Sequence, residues 1–264
     1  MTAIHGHRGC RGLFPENSLP AFEKAIELGV DALEMDLAIS KDRKVVVSHE
    51  PFMSRRICLD PFGNEIPEAD DLKHNLFEMS YAEIKAFDCG LKYHPDYPGQ
   101  KKIKAYKPLL EEAIEQSKKL NPDIDFNLEI KAKPKYDQKF TPEPDEFVNL
   151  VLGVLRKTNS IKNTNLQSFD LRILEQIKRQ CPEMKVALLI DRKDSIFEKL
   201  KQLNYKPEII SPYFKLLNEQ IVRSLKGDGF KIIPWTVNED EDLQRMIAFQ
   251  VDGIITDFPN KLTN

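Results

Sequence analysis

Apolar positions recur along the chain with two alternating periods. Short β-prone runs with period two fall at about 2–7, 31–37, 125–131, 163–168, 185–190, 208–212, 231–236 and 252–256. Between them, helical periodicity predicts helices at about 18–28, 108–120, 144–157, 170–180, 194–203, 217–226 and 239–249. Ser18, Asp170 and Asn238 stand where N-caps belong, Gly29 where a helix would stop, and Pro108 suits a first helical turn. Eight strands joined by helices predict a TIM (β/α)8 barrel. Val45–His49 is an extra strand. Too few residues separate it from the strand carrying Asp36 for a parallel crossover, so Ser40-Lys41-Asp42-Arg43 should turn a hairpin and return His49 beside Asp36.

The rhythm breaks over 51–107, which is rich in proline, glycine and charge. We read 1–264 as a single barrel domain with 51–107 as an insertion after the second barrel strand, a cap over the active end. Phe52, Phe62, Phe77, Tyr93, Tyr97 and Tyr106 are candidates for its small core or for a substrate entrance. With 264 residues the chain is long enough for one substantial core. A net charge of −3 gives no reason to expect a nucleic-acid or membrane partner, and the lysine runs at 101–107 and 131–139 read as solvated surface. No segment reaches the roughly 20 apolar residues of a membrane span. Cys10, Cys58, Cys89 and Cys181 match no zinc or redox spacing, so free thiols are expected. The location is cytoplasmic if Met1 is the native start, and periplasmic or secreted if a leader has been removed.

Against this background, ionisable residues on apolar strand ends stand out. His7 and Arg8 end the first strand, Glu34 and Asp36 the second, His49 the hairpin partner, and Glu129 and Lys131 the next. Functional groups of such barrels lie at the strand C-termini. Glu34, Asp36 and Glu129 offer only oxygen, which suits one Mg²⁺ or Ca²⁺, with Mn²⁺ a further candidate. His7 and His49 titrate near neutrality and suit acid–base work. Arg8 and Lys131 suit a phosphate. Each residue alone also has a structural reading, such as a packed histidine or a Glu129–Lys131 ion pair. Their coincidence at one end of one barrel argues for a site.

The runs His7-Arg8-Gly9, Pro15-Glu16-Asn17-Ser18, Gly29-Val30-Asp31, Glu34-Met35-Asp36, Val46-Val47, His49, Leu128-Glu129-Ile130-Lys131, Gln167-Ser168-Phe169, Trp235-Thr236-Val237-Asn238 and Val251 to Pro259 resemble, in order and spacing, the glycerophosphodiester phosphodiesterases. The resemblance covers the chain outside 51–107. It implies metal-dependent hydrolysis of a glycerophosphodiester to sn-glycerol 3-phosphate and an alcohol, within glycerol and lipid metabolism. It implies His7 and His49 as catalytic residues, Glu34, Asp36 and Glu129 as metal ligands, Arg8 and Lys131 as phosphate contacts, Trp235 in the glycerol pocket, and Glu16, Asn17 and Gln167 as supporting residues. The chain departs from the family pattern at Glu50, where an aspartate is usual. The expected partner is the small-molecule diester, and the protein a monomer or homodimer. A lysophospholipase D-like activity is the alternative substrate class, and a non-catalytic binding protein the alternative role.

Overall fold

The computed structural model describes residues 2–263. Its strands are β1 (Ala3–Gly6), β2 (Ala32–Ile39), β3 (Val45–Val47), β4 (Asp125–Ile130), β5 (Thr164–Ser168), β6 (Lys185–Ile190), β7 (Ile209–Pro212), β8 (Lys231–Ile232) and β9 (Gly253–Thr256). Its helices are α1 (Leu19–Glu27), α2 (Tyr81–Lys85), α3 (Leu110–Leu120), α4 (Pro144–Lys157), α5 (Leu171–Gln180), α6 (Ile196–Leu200), α7 (Glu219–Gly227) and α8 (Asp240–Ala248). The parallel strands follow the order β8-β7-β6-β5-β4-β2-β1-β9. Asp252 N–H donates to Ile232 O, and Ile255 N–H to Pro234 O, drawing β9 against the β8 segment and bringing the ring round. This is the expected TIM barrel. β8 is shorter than expected: Pro234 has no N–H to donate, although Ile233 N–H still reaches Ile210 O and Trp235 N–H reaches Pro212 O.

The 3.6-residue stripes face inward as the pattern requires. Phe22 on α1, Phe147 and Val151 on α4 and Ile173 and Ile177 on α5 are fully buried against the outer faces of the strands. α1 starts at Ser18, whose hydroxyl accepts from Ala21 N–H, and stops at Gly29, whose φ of +84° is open to glycine at little cost. Asp170 caps α5 as expected. Two expectations shift. α3 begins at Leu110, leaving Pro108 ahead of it, and α8 is preceded by Glu239, while Asn238 turns toward Asp257 instead of capping.

The hairpin forms. β3 pairs antiparallel with β2 through Leu37↔Val47 and Ile39↔Val45, and Ser48 N–H donates to Asp36 O. Ser40 and Asp42 bond across the turn, and Arg43 takes φ +58°. Inside the barrel, Ala187, Ile209, Ile233 and Ile255 form an apolar layer on one side. His5, Asn127 and Asn165 make a polar chain on the other, which places His5 below the strand ends, away from the carboxylates.

Residues 51–107 build a second small core from Met53, Cys58, Ile66, Leu76, Ile84, Phe87 and Cys89, resting on Ala38 and Val46 of the hairpin. Of the aromatic residues expected there, Phe62 is 89% and Tyr93 52% exposed. Lys107, expected on a solvated face, is buried, and desolvation brings its amine down to about 8. Cys58 and Cys89 form a disulfide, contrary to the expectation of free thiols; Cys10 and Cys181 are free and buried. Leu59 and Asp88 exchange backbone hydrogen bonds beside it, so long-range pairing, invisible in local spacing, brings the two sulfurs together. The bridge closes a loop with sequence separation 31. Replacing both cysteines with alanine should therefore lower stability in urea denaturation by about 3–4 kcal/mol. A loss below about 0.5 kcal/mol, the range of neutral surface changes, would contradict this.

Candidate active site at the strand C-termini

Register explains why the acidic residues meet. Asp36 on β2 lies directly beside Glu129 on β4, and Glu129 beside Gln167 on β5. Period two then puts Glu34 on the same face as Asp36. One oxygen from each of Glu34, Asp36 and Glu129 lies within 4.8 Å of the others, and all three residues are buried. Two oxygens bonded to one Ca²⁺ at about 2.3–2.6 Å lie at most about 5 Å apart, so the set is compact enough for one ion. Its all-oxygen chemistry suits a hard cation.

The electrostatics tell the same story. Burial, with Asp36 and Glu129 nearby, pushes the Glu34 carboxyl well above its usual range. Burial also raises Glu129, to about 7, despite Lys131 at 3.0 Å. For Asp36, burial is outweighed by Lys131 at 3.3 Å and Arg8 Nε at 3.1 Å, which hold it well below the carboxylate range. The protein's own cations thus compensate one carboxylate fully and leave the others short of positive charge.

The β1–α1 loop supplies much of the frame. Arg8 (φ +50°) and Asn17 (φ +52°) both adopt the left-handed conformation, rare for non-glycine residues and frequent at functional sites. Gly9 follows at φ +89°, where a Cβ would lie 2.8 Å from Ala21. In return, Arg8 N–H reaches Glu34 Oε2 at 2.9 Å, and its guanidinium spans Glu16 (2.7 Å) and Asp36. Asn17 Nδ2 donates to Asp36 Oδ2 at 2.8 Å, and Gln167 Nε2 to Glu34 Oε1 at 3.1 Å. Glu16 also pairs with Arg11 at 2.6 Å, and these cations overcome its burial to keep it ionised.

His7 and His49 face one cavity of about 340 Å³, lined also by Arg8, Arg11, Lys131, Phe169 and Trp235. Trp235 is fixed by its Nε1–H donating to Ser211 O, with Phe169 edge-on at 5.5 Å. The strand ends therefore bring all the expected residues together. Glu50 meets His49 Nδ1 at 2.8 Å, so the longer carboxylate still reaches the imidazole. Burial, reinforced by Arg8 and Lys131, lowers His49 to about 4. Cys10, by contrast, is buried, bonds Ala21 O and is pushed up to about 12, as an inert thiol would be.

One central residue escaped the sequence reading. Asp257, at the end of β9, meets His7 Nδ1 at 2.6 Å. Burial lowers the His7 imidazole, against the pull of Asp257, while His7 keeps Asp257 well below the carboxylate range. The signal was available: Ile255-Thr256-Asp257 ends a strand with a carboxylate, as Glu34-Met35-Asp36 does.

The model of the glycerophosphoryl diester phosphodiesterase family matches residues 7–261, nearly the whole chain. The chain belongs to this family. It is accordingly an enzyme, a phosphoric diester hydrolase. Among its relatives is the glycerophosphodiester phosphodiesterase of Caldanaerobacter subterraneus subsp. tengcongensis, 29% identical over all of this chain and 97% of that protein. A crystal structure from Silicibacter pomeroyi, provisionally named a glycerophosphoryl diester phosphodiesterase, superposes with a TM-score of 0.90 at 29% identity, over 99% of this chain and 91% of that one. An Oleispira antarctica phosphodiesterase in complex with the product sn-glycerol-3-phosphate shares the fold, at TM-score 0.78 and 23% identity, over 99% and 95% of the two chains. Among the described residues, no helix of this family member is long and apolar enough to cross a membrane.

Glu34→Gln tests the charge imbalance. It replaces a carboxyl whose ionised form is disfavoured by burial with a neutral amide and keeps a partner for Gln167, whose Oε1 is otherwise unpaired. A raised carboxyl costs stability above its unfolded pKa. The variant should therefore melt higher than wild type in chelator at pH 7. Any further rise on adding Mg²⁺, Ca²⁺ or Mn²⁺ should also be smaller in the variant than in wild type. A lower melting temperature in chelator, or an undiminished response to metal, would contradict the arrangement.

Proposed function

We propose that this enzyme hydrolyses glycerophosphodiesters to sn-glycerol 3-phosphate and an alcohol, using one divalent ion held by Glu34, Asp36 and Glu129, and His7 and His49 as its acid–base pair. The observation that carries this reading is a cluster of three buried carboxylates, two of which, Glu34 and Glu129, line one cavity together with two anchored imidazoles, Arg8 and Lys131. The family membership and the printed activity of the tengcongensis relative support it. A bound divalent ion would supply Lewis-acid neutralisation of phosphate charge.

The residues divide the remaining work. Arg8 and Lys131 bind the phosphate and stabilise charge developing on its equatorial oxygens. Trp235 packs against the glycerol carbons. His7, with Nδ1 tied to Asp257, presents Nε2 to the nucleophile and takes its proton. His49, tied to Glu50, delivers a proton to the departing alcohol oxygen. Its basicity rises when the anionic substrate arrives beside it. The same proton inventory serves whether water or the substrate's 2-hydroxyl attacks first; in the second case water then opens the cyclic phosphate. Residues 51–107 cap this end of the single domain.

The polar character of the cavity favours a water-soluble diester over a lysophospholipid. More than half of the residues lining the cavity are ionisable, among them His7, Arg11, Glu34, His49 and Glu129, and an acyl chain there would strip water from them. The Cys58–Cys89 bridge supports an oxidising compartment, and so the periplasmic or secreted location.

Release of glycerol 3-phosphate from glycerophosphocholine, glycerophosphoethanolamine and glycerophosphoglycerol, with and without chelator, tests the reading. Hydrolysis should require a divalent metal. His7→Ala and His49→Ala should each lower kcat by about 10²–10⁴-fold with the fold intact by circular dichroism. Turnover within a few-fold of wild type in either variant would remove that histidine from the mechanism.

A further inference from the structure

The Asp257 carboxylate is held from three directions. Its Oδ1 faces His7 Nδ1, while Oδ2 accepts Asn238 Nδ2–H and the Tyr97 hydroxyl, both at 2.7 Å. Asp257 N–H also donates to Asn238 Oδ1 at 3.0 Å. Asn238 belongs to the barrel, between β8 and α8. Tyr97 belongs to the 51–107 segment, 160 residues away in sequence.

Tyr97 is itself firmly placed. His94 packs edge-on to its ring at 4.9 Å, Phe258 lies at 6.0 Å, and the Arg11 guanidinium sits 4.9 Å over its face. The neighbouring chain is pinned to the β1–α1 loop by Lys101 N–H to Leu13 O at 2.8 Å and Gln100 Nε2–H to Arg11 O at 2.7 Å. An ionised carboxylate only accepts hydrogen bonds, so the phenol must donate, and burial pushes its pKa up and keeps its proton in place.

We propose that Tyr97 is a positioning residue for the acid–base pair: together with Asn238 it fixes Asp257, so that Oδ1 holds the His7 Nδ1–H tautomer and leaves the Nε2 lone pair facing the cavity. The 51–107 segment then completes the apparatus that carries the proton, besides covering the site. The catalytic consequence rests on the phosphodiesterase reading; the tautomeric consequence does not. Tautomer and ring orientation of a histidine follow from the partner of its other nitrogen. A carboxylate with one anchor removed is free to rotate away from it.

Tyr97→Phe deletes the donor and keeps the ring packing. The decisive readout is ¹⁵N NMR of the His7 imidazole. The wild type should show one fixed Nδ1–H tautomer, and Tyr97→Phe a mixture of the two. In the diester assay, kcat should fall about tenfold, the worth of one hydrogen bond to a charged group, with KM within about twofold, and the melting temperature should fall by only a few degrees because Asn238 still holds the carboxylate. An unchanged His7 tautomer in Tyr97→Phe, or a wild-type kcat, overturns the proposal. A wild type that hydrolyses no glycerophosphodiester, combined with loss of the tautomer in Tyr97→Phe, removes the phosphodiesterase reading and leaves the positioning role standing.

Discussion

Three carboxylates buried side by side are the constraint from which the rest of the strand-end architecture follows. Asp36 and Glu129 are direct neighbours in the β2–β4 register, with Glu34 two residues back on the same face. Like charges this close and this dry cannot all ionise without compensation. Arg8 and Lys131 supply two positive charges, and those suffice for Asp36 but not for Glu34 and Glu129. A hard divalent cation is the natural complement, and we propose it as the missing charge. The unusual backbone of the β1–α1 loop belongs to the same balance: it aims the Arg8 amide and guanidinium, and the Asn17 side chain, at these carboxylates.

A second layer of contacts orients the imidazoles. His7 leans on Asp257 and His49 on Glu50, each carboxylate touching Nδ1. Asp257 is in turn gripped by the barrel through Asn238 and by the 51–107 segment through Tyr97. The disulfide and small core of that segment therefore have a reach beyond their own stability. Cys89 N–H donates to Ala105 O and Ile103 N–H to Gly90 O, so the bridged cysteine anchors the base of the loop that carries Tyr97.

The alternation of strand-like and helical periods made the barrel and its hairpin legible, because each period is set locally by which faces must be buried. The same period-two logic brought out the acidic and histidine positions, since a charge on an apolar strand is visible without knowledge of its partners. Legibility ended where function depends on contacts across the fold. Asn238 looked like a helix cap, and Tyr97 like one aromatic among several, yet both point at Asp257. Cys58 and Cys89 become neighbours only through the Leu59–Asp88 pairing. Lys107 looked like one of a run of surface lysines and is buried near Glu16, Glu50 and Asp36. In each case the deciding partner lies far away in sequence, where no local pattern records it.

The central claim, that the carboxylates form the seat of one divalent ion, is tested most directly by crystals grown with Mn²⁺ and measured for anomalous scattering. The account predicts one strong anomalous peak in contact with an oxygen from each of Glu34, Asp36 and Glu129, at about 2.0–2.6 Å. A peak elsewhere, or none between these carboxylates at saturating Mn²⁺, would contradict it.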